Sequence, residues 1–180
     1  EMLWMHSINE GERGAAAPRQ LSGRGLAYWS DGRGQERVLY VTPGYQLVAL
    51  DAKTGARITT FGKEGLVDLK RENDQQTDPI KGELGLHAAP IVVGDTIVIG
   101  AAHLAGGAPR SKTNEKGYTR GYDVRTGKRL WIFHTIPRPG EFGNDSWLND
   151  SWSYTGNAGV WAQMSADPEL GLIYLPVELP

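Results

Sequence analysis

The chain has 180 residues, enough for one domain with its own core, and carries a formal net charge of −2. Such a charge offers no basic surface for nucleic acid or an anionic membrane, and no apolar run approaches a membrane span in length. Cysteine is absent, which excludes disulfides and thiolate metal sites, while 24 Gly and 6 Trp favour an all-β chain with many tight turns.

A short repeat organises the sequence. The frame Asp-x-x-Thr-Gly begins at Asp51 and again at Asp123, and residues 1–4, which end in Trp4, match the tail of such a copy. Each copy predicts strand, tight turn and strand, because the Asp accepts hydrogen bonds from turn amides and the Gly tolerates a positive φ. A Trp four residues after the Gly should bury its ring between neighbouring sheets. Thr59 takes that place in the copy at Asp51, so a weaker contact is expected there.

Strands and irregular stretches alternate along the chain. Two hairpins and a further strand are predicted, at residues 38–51, 90–100 and 170–177. The two repeat aspartates lie 72 residues apart, whereas a plain propeller blade takes about 40–45. Polar, turn-rich insertions account for the surplus, and a third irregular stretch follows the second copy. These three stretches are residues 61–85, 103–117 and 134–159.

Together these features resemble the quinoprotein dehydrogenases, which use pyrroloquinoline quinone (PQQ). The repeat is similar to the tryptophan-docking motif of that family, and three further stretches match it in order: residues 23–29, 88–102 and 149–176. The resemblance covers nearly the whole chain and implies an all-β, eight-bladed β-propeller with PQQ on its axis. In that family a bound calcium polarises the quinone, and an Asp base takes the alcohol proton as hydride passes to the quinone.

The resemblance also sets the expected domain. Residues 1–180 are expected to form about three blades, a single PQQ-repeat propeller domain truncated at both ends. A piece of this size would leave hydrophobic blade faces uncovered, because a propeller is closed by docking its last blade on its first. We therefore expect the piece neither to fold stably nor to be active alone.

Four residues match positions that contact the cofactor in the family. Arg24 matches the Arg that pairs with a PQQ carboxylate, a role that suits the fixed guanidinium fork. Trp161 matches the Trp that lies flat beneath the quinone. His87 stands where the family often has a hydroxyl residue, and His103 lies near the family's cofactor and calcium contacts. Ordinary roles stay open for each: a surface ion pair, a core tryptophan and loop histidines.

The calcium site is matched less well than the cofactor site. Residues 103–107 contain no carboxylate where the family has a calcium ligand. Glu178 falls near a later family ligand and offers the hard oxygens that Ca²⁺ prefers, with a plain loop carboxylate as the equal alternative. The catalytic Asp base is expected beyond residue 180.

The implied activity is PQQ-dependent oxidation of a sugar, polyol or other alcohol. Electrons would pass to a quinone or cytochrome, the location would be periplasmic, and membrane attachment would come only from segments outside this chain. The adjacent cysteines of the alcohol-oxidising branch are missing, which favours a sugar or polyol branch. The alternative is a non-catalytic propeller scaffold of the outer-membrane assembly type, against which Arg24, Trp161 and the long loops argue.

Overall fold

Antiparallel sheets follow one another along the chain. The computed structural model describes residues 2–20, 25–86, 88–104 and 114–180, and within them the strands form two four-stranded sheets and one two-stranded sheet. The first sheet contains β1 (Ala27–Ser30), β2 (Glu36–Val41), β3 (Gln46–Asp51) and β4 (Leu66–Asp68). The second contains β5 (Ile91–Val93), β6 (Thr96–Ile99), β7 (Thr119–Asp123) and β8 (Arg129–Phe133), and the third contains β9 (Ser165–Asp167) and β10 (Leu172–Tyr174). Sequential strands are neighbours in each sheet, which is the arrangement of propeller blades.

Helices are short in these described ranges. The helix α1 (Gly11–Ala15) has 5 residues, and 3-10 turns occupy Asn144–Ser146 and Leu148–Ser153. The sequence did not predict α1, because so few residues cannot establish a helical period. Across the same part of the chain, no helix is long and apolar enough to cross a membrane.

Both predicted hairpins are confirmed. The turn between β2 and β3 is closed by the amide of Tyr45, which donates to the carbonyl of Thr42 at 2.9 Å. The turn between β5 and β6 contains Gly94 at a φ of 57°, a conformation that glycine adopts without strain. Tyr45 has a φ of 63°, which is rare for a bulky residue, and its buried hydroxyl donates to the carbonyl of Gly100 at 2.7 Å. This bond fixes the first hairpin to the second sheet.

The insertion at residues 61–85 contains a strand that the sequence did not predict. β4 pairs with β3, with Gln46 opposite Asp68, and it completes the first sheet. Its 3 residues are half-buried and lie among polar turns, so they show no period of two. The expectation of a wholly irregular insertion is therefore wrong at this point.

The two repeat turns have the predicted geometry. Oδ1 of Asp51 accepts the amide and hydroxyl of Thr54 at 2.8 and 2.9 Å, and Oδ1 of Asp123 accepts those of Thr126 at 2.7 and 2.7 Å. The glycines that close these turns have φ values of 71° and 72°. Each turn is therefore fixed by its own five residues.

The first repeat turn docks a tryptophan, as predicted. The indole of Trp4 donates to the carbonyl of Ala52 at 3.0 Å, and a Cβ on Gly55 would lie 2.5 Å from Cδ2 of that indole. Only glycine leaves room for the ring at this distance. The match of residues 1–4 to a repeat tail therefore has a physical basis.

The second repeat turn docks a phenylalanine instead. Thr59 is exposed, and Phe61 is fully buried beside the turn. A Cβ on Gly127 would lie 3.2 Å from Cε1 of Phe61, and the amide of Gly62 donates to the carbonyl of Thr126 at 2.8 Å. The contact that we expected to be weaker is therefore supplied by a residue outside the repeat frame.

Trp131 does not show the predicted burial between sheets within the described residues. It lies over Gly121 of the adjacent strand β7, where a Cβ would be 2.2 Å from Cε2 of the indole. Trp131 is 37 % exposed. Its contacts in this structure are therefore with its own blade.

The main core lies between the two four-stranded sheets. Its largest buried apolar side chains include Leu39, Leu47, Phe61, Leu69, Ile97, Ile99 and Tyr122. Two buried arginines cross the same interface: Nη1 of Arg37 donates to the carbonyl of Val124 at 2.9 Å, and Nη2 of Arg120 donates to the hydroxyl of Tyr45 at 3.0 Å. Because a buried cation requires hydrogen-bond partners, these bonds help to specify how the blades meet.

Candidate cofactor site

Trp161 lies at the end of a segment that crosses the second blade. A Cβ on Gly100 would lie 2.2 Å from the carbonyl oxygen of Val160, and one on Gly159 would lie 2.4 Å from that of Ala101. The two glycines allow the chain after β6 and the chain before Trp161 to touch. Trp161 is 41 % exposed, and its indole is the type of planar side chain that stacks on flat ligands.

His103 is a nearly buried histidine with two hydrogen-bond acceptors. Its Nδ1 lies 3.2 Å from Oε1 of Glu178, and its Nε2 lies 3.0 Å from the carbonyl oxygen of Glu115. The side chain is 12 % exposed. The two ring nitrogens thus connect the side chain of Glu178 to the backbone at Glu115.

Glu178 is held beside the same segment as Trp161. Its amide donates to the carbonyl of Gly159 at 2.9 Å, and the amide of Gly159 lies 3.4 Å from its Oε1. The structure therefore brings together three residues that the sequence singled out separately. His103 and Glu178 bond one another, and Glu178 also bonds the backbone two residues before Trp161.

A calcium site is not evident at Glu178. Its Oε1 accepts from His103 and Gly159. Within the described ranges, no group of three or more His, Cys, Asp or Glu side chains could hold a metal ion. The assignment of calcium to Glu178 stays a prediction.

Arg24 and His87, also predicted to contact the cofactor, lie outside the described residues. Their described neighbours meet, because a Cβ on Gly25 would lie 2.2 Å from the Cβ of Ala89. This contact places β1 beside β5, the first strand of the next blade. The roles of Arg24 and His87 stay predictions.

Two charged residues next to this site, the buried Lys70 and the half-buried Glu115, were not predicted. Nζ of Lys70 donates to the carbonyls of Ile80 and Gly82 at 3.0 and 2.9 Å, and burial lowers the pKa of this lysine. Glu115, whose carbonyl accepts from His103, has its carboxyl against the same loop, and burial raises the pKa of that carboxyl. Both residues lie in polar insertions, where a charged residue is ordinarily solvated, so the sequence gives no signal of their burial.

The sheets and repeat turns define a β-propeller of the Asp-x-x-Thr-Gly type, and a comparison with family models agrees. Residues 1–180 match the model described as "PQQ: Glucose/ethanol/alcohol dehydrogenase, beta-propeller domain". The chain belongs to this family of PQQ dehydrogenase propellers. The predicted family and the predicted all-β propeller are therefore confirmed.

Curated relatives carry the same kind of name. The chain is 30 % identical to the glycerol dehydrogenase large subunit of Gluconobacter oxydans (strain 621H), over 97 % of this chain and 23 % of that protein. It is 33 % identical to the quinohemoprotein alcohol dehydrogenase ADH IIB of Pseudomonas putida, over 84 % of this chain and 20 % of that protein. The chain thus spans about a quarter or less of the length of these relatives.

A solved structure shows the same fold. A europium-containing methanol dehydrogenase superposes with a TM-score of 0.65 at 25 % identity, covering 97 % of this chain and 29 % of that chain. The likeness extends over both described four-stranded sheets and the two-stranded sheet, because it covers nearly all of this chain.

Proposed function

We propose that the full-length protein is a PQQ-dependent dehydrogenase. It oxidises a sugar, polyol or other alcohol by hydride transfer to the quinone, and it passes the electrons to a quinone or a cytochrome. A periplasmic location is part of the proposal. The observation that carries it is the match of all 180 residues to the PQQ dehydrogenase propeller model.

The residues of this chain would bind and orient the cofactor, which supplies the redox chemistry when bound. Trp161 would stack beneath the planar ring, because an indole offers a flat aromatic surface of the kind such a ligand needs. The hydrogen-bonded pair of His103 and Glu178 would hold the segment before Trp161 in place, through the bonds of Glu178 to Gly159. Arg24 would pair with a carboxylate of the cofactor, as its place in the sequence suggests.

A sugar or polyol substrate is the favoured choice within this class. The chain has no cysteine, and therefore lacks the adjacent pair of the alcohol-oxidising branch. One relative is named a glycerol dehydrogenase, which is consistent with a polyol. The relatives described above carry the names of dehydrogenases, so nothing specific favours the alternative of a non-catalytic scaffold.

The decisive experiment uses the full-length protein with and without PQQ. Dye reduction is assayed with an aldose, glycerol and a simple alcohol, in Ca²⁺ and again after chelation. We expect reduction that requires PQQ, is fastest with the aldose or glycerol, and declines on chelation. Failure to reduce the dye with any substrate would contradict the proposal, and retained activity after chelation would remove calcium from it.

The role of Trp161 is tested by its affinity for PQQ. We expect Trp161→Ala to weaken PQQ binding roughly tenfold, because an aromatic stacking contact contributes about 0.5–1.5 kcal/mol beyond its buried area. Trp131→Ala is the matched control, since Trp131 is 37 % exposed but packs on Gly121. Equal loss of affinity in both variants, with both proteins folded by circular dichroism, would assign Trp161 a structural role instead.

A further inference from the structure

His134 is the centre of a charged cluster that the proposed function does not use. Its Nδ1 lies 2.7 Å from Oε1 of Glu141, and its Nε2 lies 3.2 Å from Oδ2 of Asp74. The imidazole is 8 % exposed and packs edge-on against the ring of Tyr118, with centroids 4.4 Å apart. We call Asp74, His134 and Glu141 the His134 latch.

The latch uses both ring nitrogens of His134, because a carboxylate oxygen faces each of them. Two arginines also bond the carboxylates of the latch. Nη1 of Arg129 donates to Oδ1 of Asp74 at 2.8 Å, and the amide of Arg138 donates to Oε2 of Glu141 at 2.7 Å.

The carboxyl pKa values agree with this arrangement. Burial opposes ionisation of Asp74, but hydrogen bonds and charges from Arg129, Arg138 and His134 hold its pKa below the ordinary value. The pKa of Glu141 is lowered chiefly by the backbone amide of Arg138 and also by His134. The ionised form of both carboxyls is thus favoured beside His134.

The latch joins two irregular stretches of the chain that are remote in sequence. Asp74 belongs to the insertion at residues 61–85, and Glu141 belongs to the stretch after β8. Glu72 and Asp74 have φ values of 49° and 56°, conformations that cost non-glycine residues free energy. The surrounding bonds hold this backbone, because Arg129 also bonds the carbonyl of Glu72 and Arg138 bonds that of Asp74.

The residue after Asp74 connects the latch to the candidate cofactor site. The side-chain amide of Gln75 donates to the carbonyl of Lys116 at 2.7 Å and accepts its amide at 2.8 Å. Nζ of Lys116 donates to the carbonyl of Thr155 at 2.6 Å. The preceding residue, Glu115, supplies the carbonyl that lies 3.0 Å from Nε2 of His103. Hydrogen bonds, together with residues adjacent in the backbone, therefore connect the latch to the His103–Glu178 pair.

We propose that His134 is a positioning residue of the candidate cofactor site. Its ring ties Asp74 to Glu141, which keeps Gln75 on Lys116 and so fixes the Glu115 carbonyl that His103 bonds. The effect on PQQ rests on the proposed function, whereas the coupling between the two loops does not. Loss of the His134 ring should therefore loosen residues 114–117 even when no cofactor is bound.

The experiment measures hydrogen exchange in the full-length protein without PQQ. We expect His134→Gln to raise the amide exchange rates at residues 70–78 and 114–118 about tenfold. Without the bonds of His134 to Asp74 and Glu141, these segments should open locally more often. His6→Gln is the matched control, since His6 packs on Tyr40 at 6.0 Å and lies outside the latch.

A second variant and a second measurement separate the outcomes. Glu141→Gln keeps the side-chain shape and should raise exchange at 114–118 as well, which tests the latch if His134→Gln does not fold. PQQ affinity should fall at least threefold in either variant. Unchanged exchange rates at residues 114–118 in both variants would overturn the proposed coupling, whether or not PQQ affinity changes. If exchange rises in the variants but the unsubstituted protein binds no PQQ, the latch is supported and the proposed function is rejected.

Discussion

The repeat turns at residues 51–55 and 123–127 are alike internally and differ in what packs on them. In both, the Asp accepts from the Thr amide and hydroxyl at 2.7–2.9 Å, and the Gly has a φ near 71°. Trp4 covers the first turn, and Phe61 covers the second. Local sequence therefore fixes the turn, whereas the side chain that docks on it is chosen by packing and can come from outside the repeat.

The largest expected effect is the loss of the phenylalanine. Phe61→Ala should lower the free energy of unfolding by about 3–5 kcal/mol, because it removes a fully buried ring and leaves a cavity. Trp4→Ala should cost less, since Trp4 is only partly buried. Denaturant unfolding of the full-length protein gives both values.

Thr59→Ala is the control for this prediction. Thr59 occupies the repeat position of the tryptophan but is exposed, so its substitution should change stability by no more than about 0.5 kcal/mol. A larger loss of stability for Thr59→Ala than for Phe61→Ala would mean that the residue at the repeat position, and not Phe61, stabilises the second turn.

The same comparison explains what the sequence could and could not predict about the fold. The hairpins and the Asp turns have local signals, because strand period, turn glycines and Asp caps act within a few residues. Phe61 and β4 have no such signal, since both lie in a polar insertion. Phe61 is buried in the core between the sheets, where it also contacts Gly127, 66 positions further along.

The candidate site is less predictable for a similar reason. Resemblance singled out His103 and Glu178 separately, but their contact joins residues 75 positions apart and follows from the fold. Lys70, Glu115 and His134 look like ordinary loop residues in the sequence. Glu115 and His134 acquire contacts from another loop, whereas Lys70 bonds carbonyls of its own insertion. Loop packing of either kind has no periodic signature.

Replacing the glycine of each repeat turn should destabilise both turns in the same way. Gly55→Ala and Gly127→Ala should each cost about 2–3 kcal/mol, because a positive φ costs about 1–2 kcal/mol and the new methyl overlaps a neighbour. A Cβ would lie 2.5 Å from Cδ2 of Trp4 in the first and 2.7 Å from Cγ2 of Val67 in the second. Thermal unfolding of the full-length variants measures the effect.

Gly32→Ala separates the two contributions to that cost. Gly32 has a φ of 68°, but no atom lies within 4 Å of its Cβ position among the described residues. We therefore expect a cost of only about 1–2 kcal/mol from the backbone conformation. Equal losses of unfolding free energy at Gly32, Gly55 and Gly127 would show that the neighbouring side chains move aside without a measurable cost.

The smallest expected effect concerns the charge of the turn aspartates. The pKa of Asp51 is lowered chiefly by the hydroxyl of Thr54 and then by its amide. Burial opposes ionisation of Asp123, but the hydroxyl and amide of Thr126 still lower its pKa. A carboxyl whose folded pKa is depressed stabilises the protein above its unfolded pKa of about 3.9, and this contribution is lost as the pH falls through the folded value.

Asn is the informative substitution at these two turns, because its side-chain oxygen still accepts the turn amides but does not titrate in this range. The double variant Asp51→Asn with Asp123→Asn should show a smaller fall in Tm between about pH 5 and about pH 2 than the unsubstituted protein. The two single variants should contribute alike, since the turns are internally the same, even though Trp4 covers one and Phe61 covers the other. If only one turn contributes to the pH dependence of Tm, the side chain docked on that turn alters the electrostatics of its Asp. The turn and its docking partner would then not be independent.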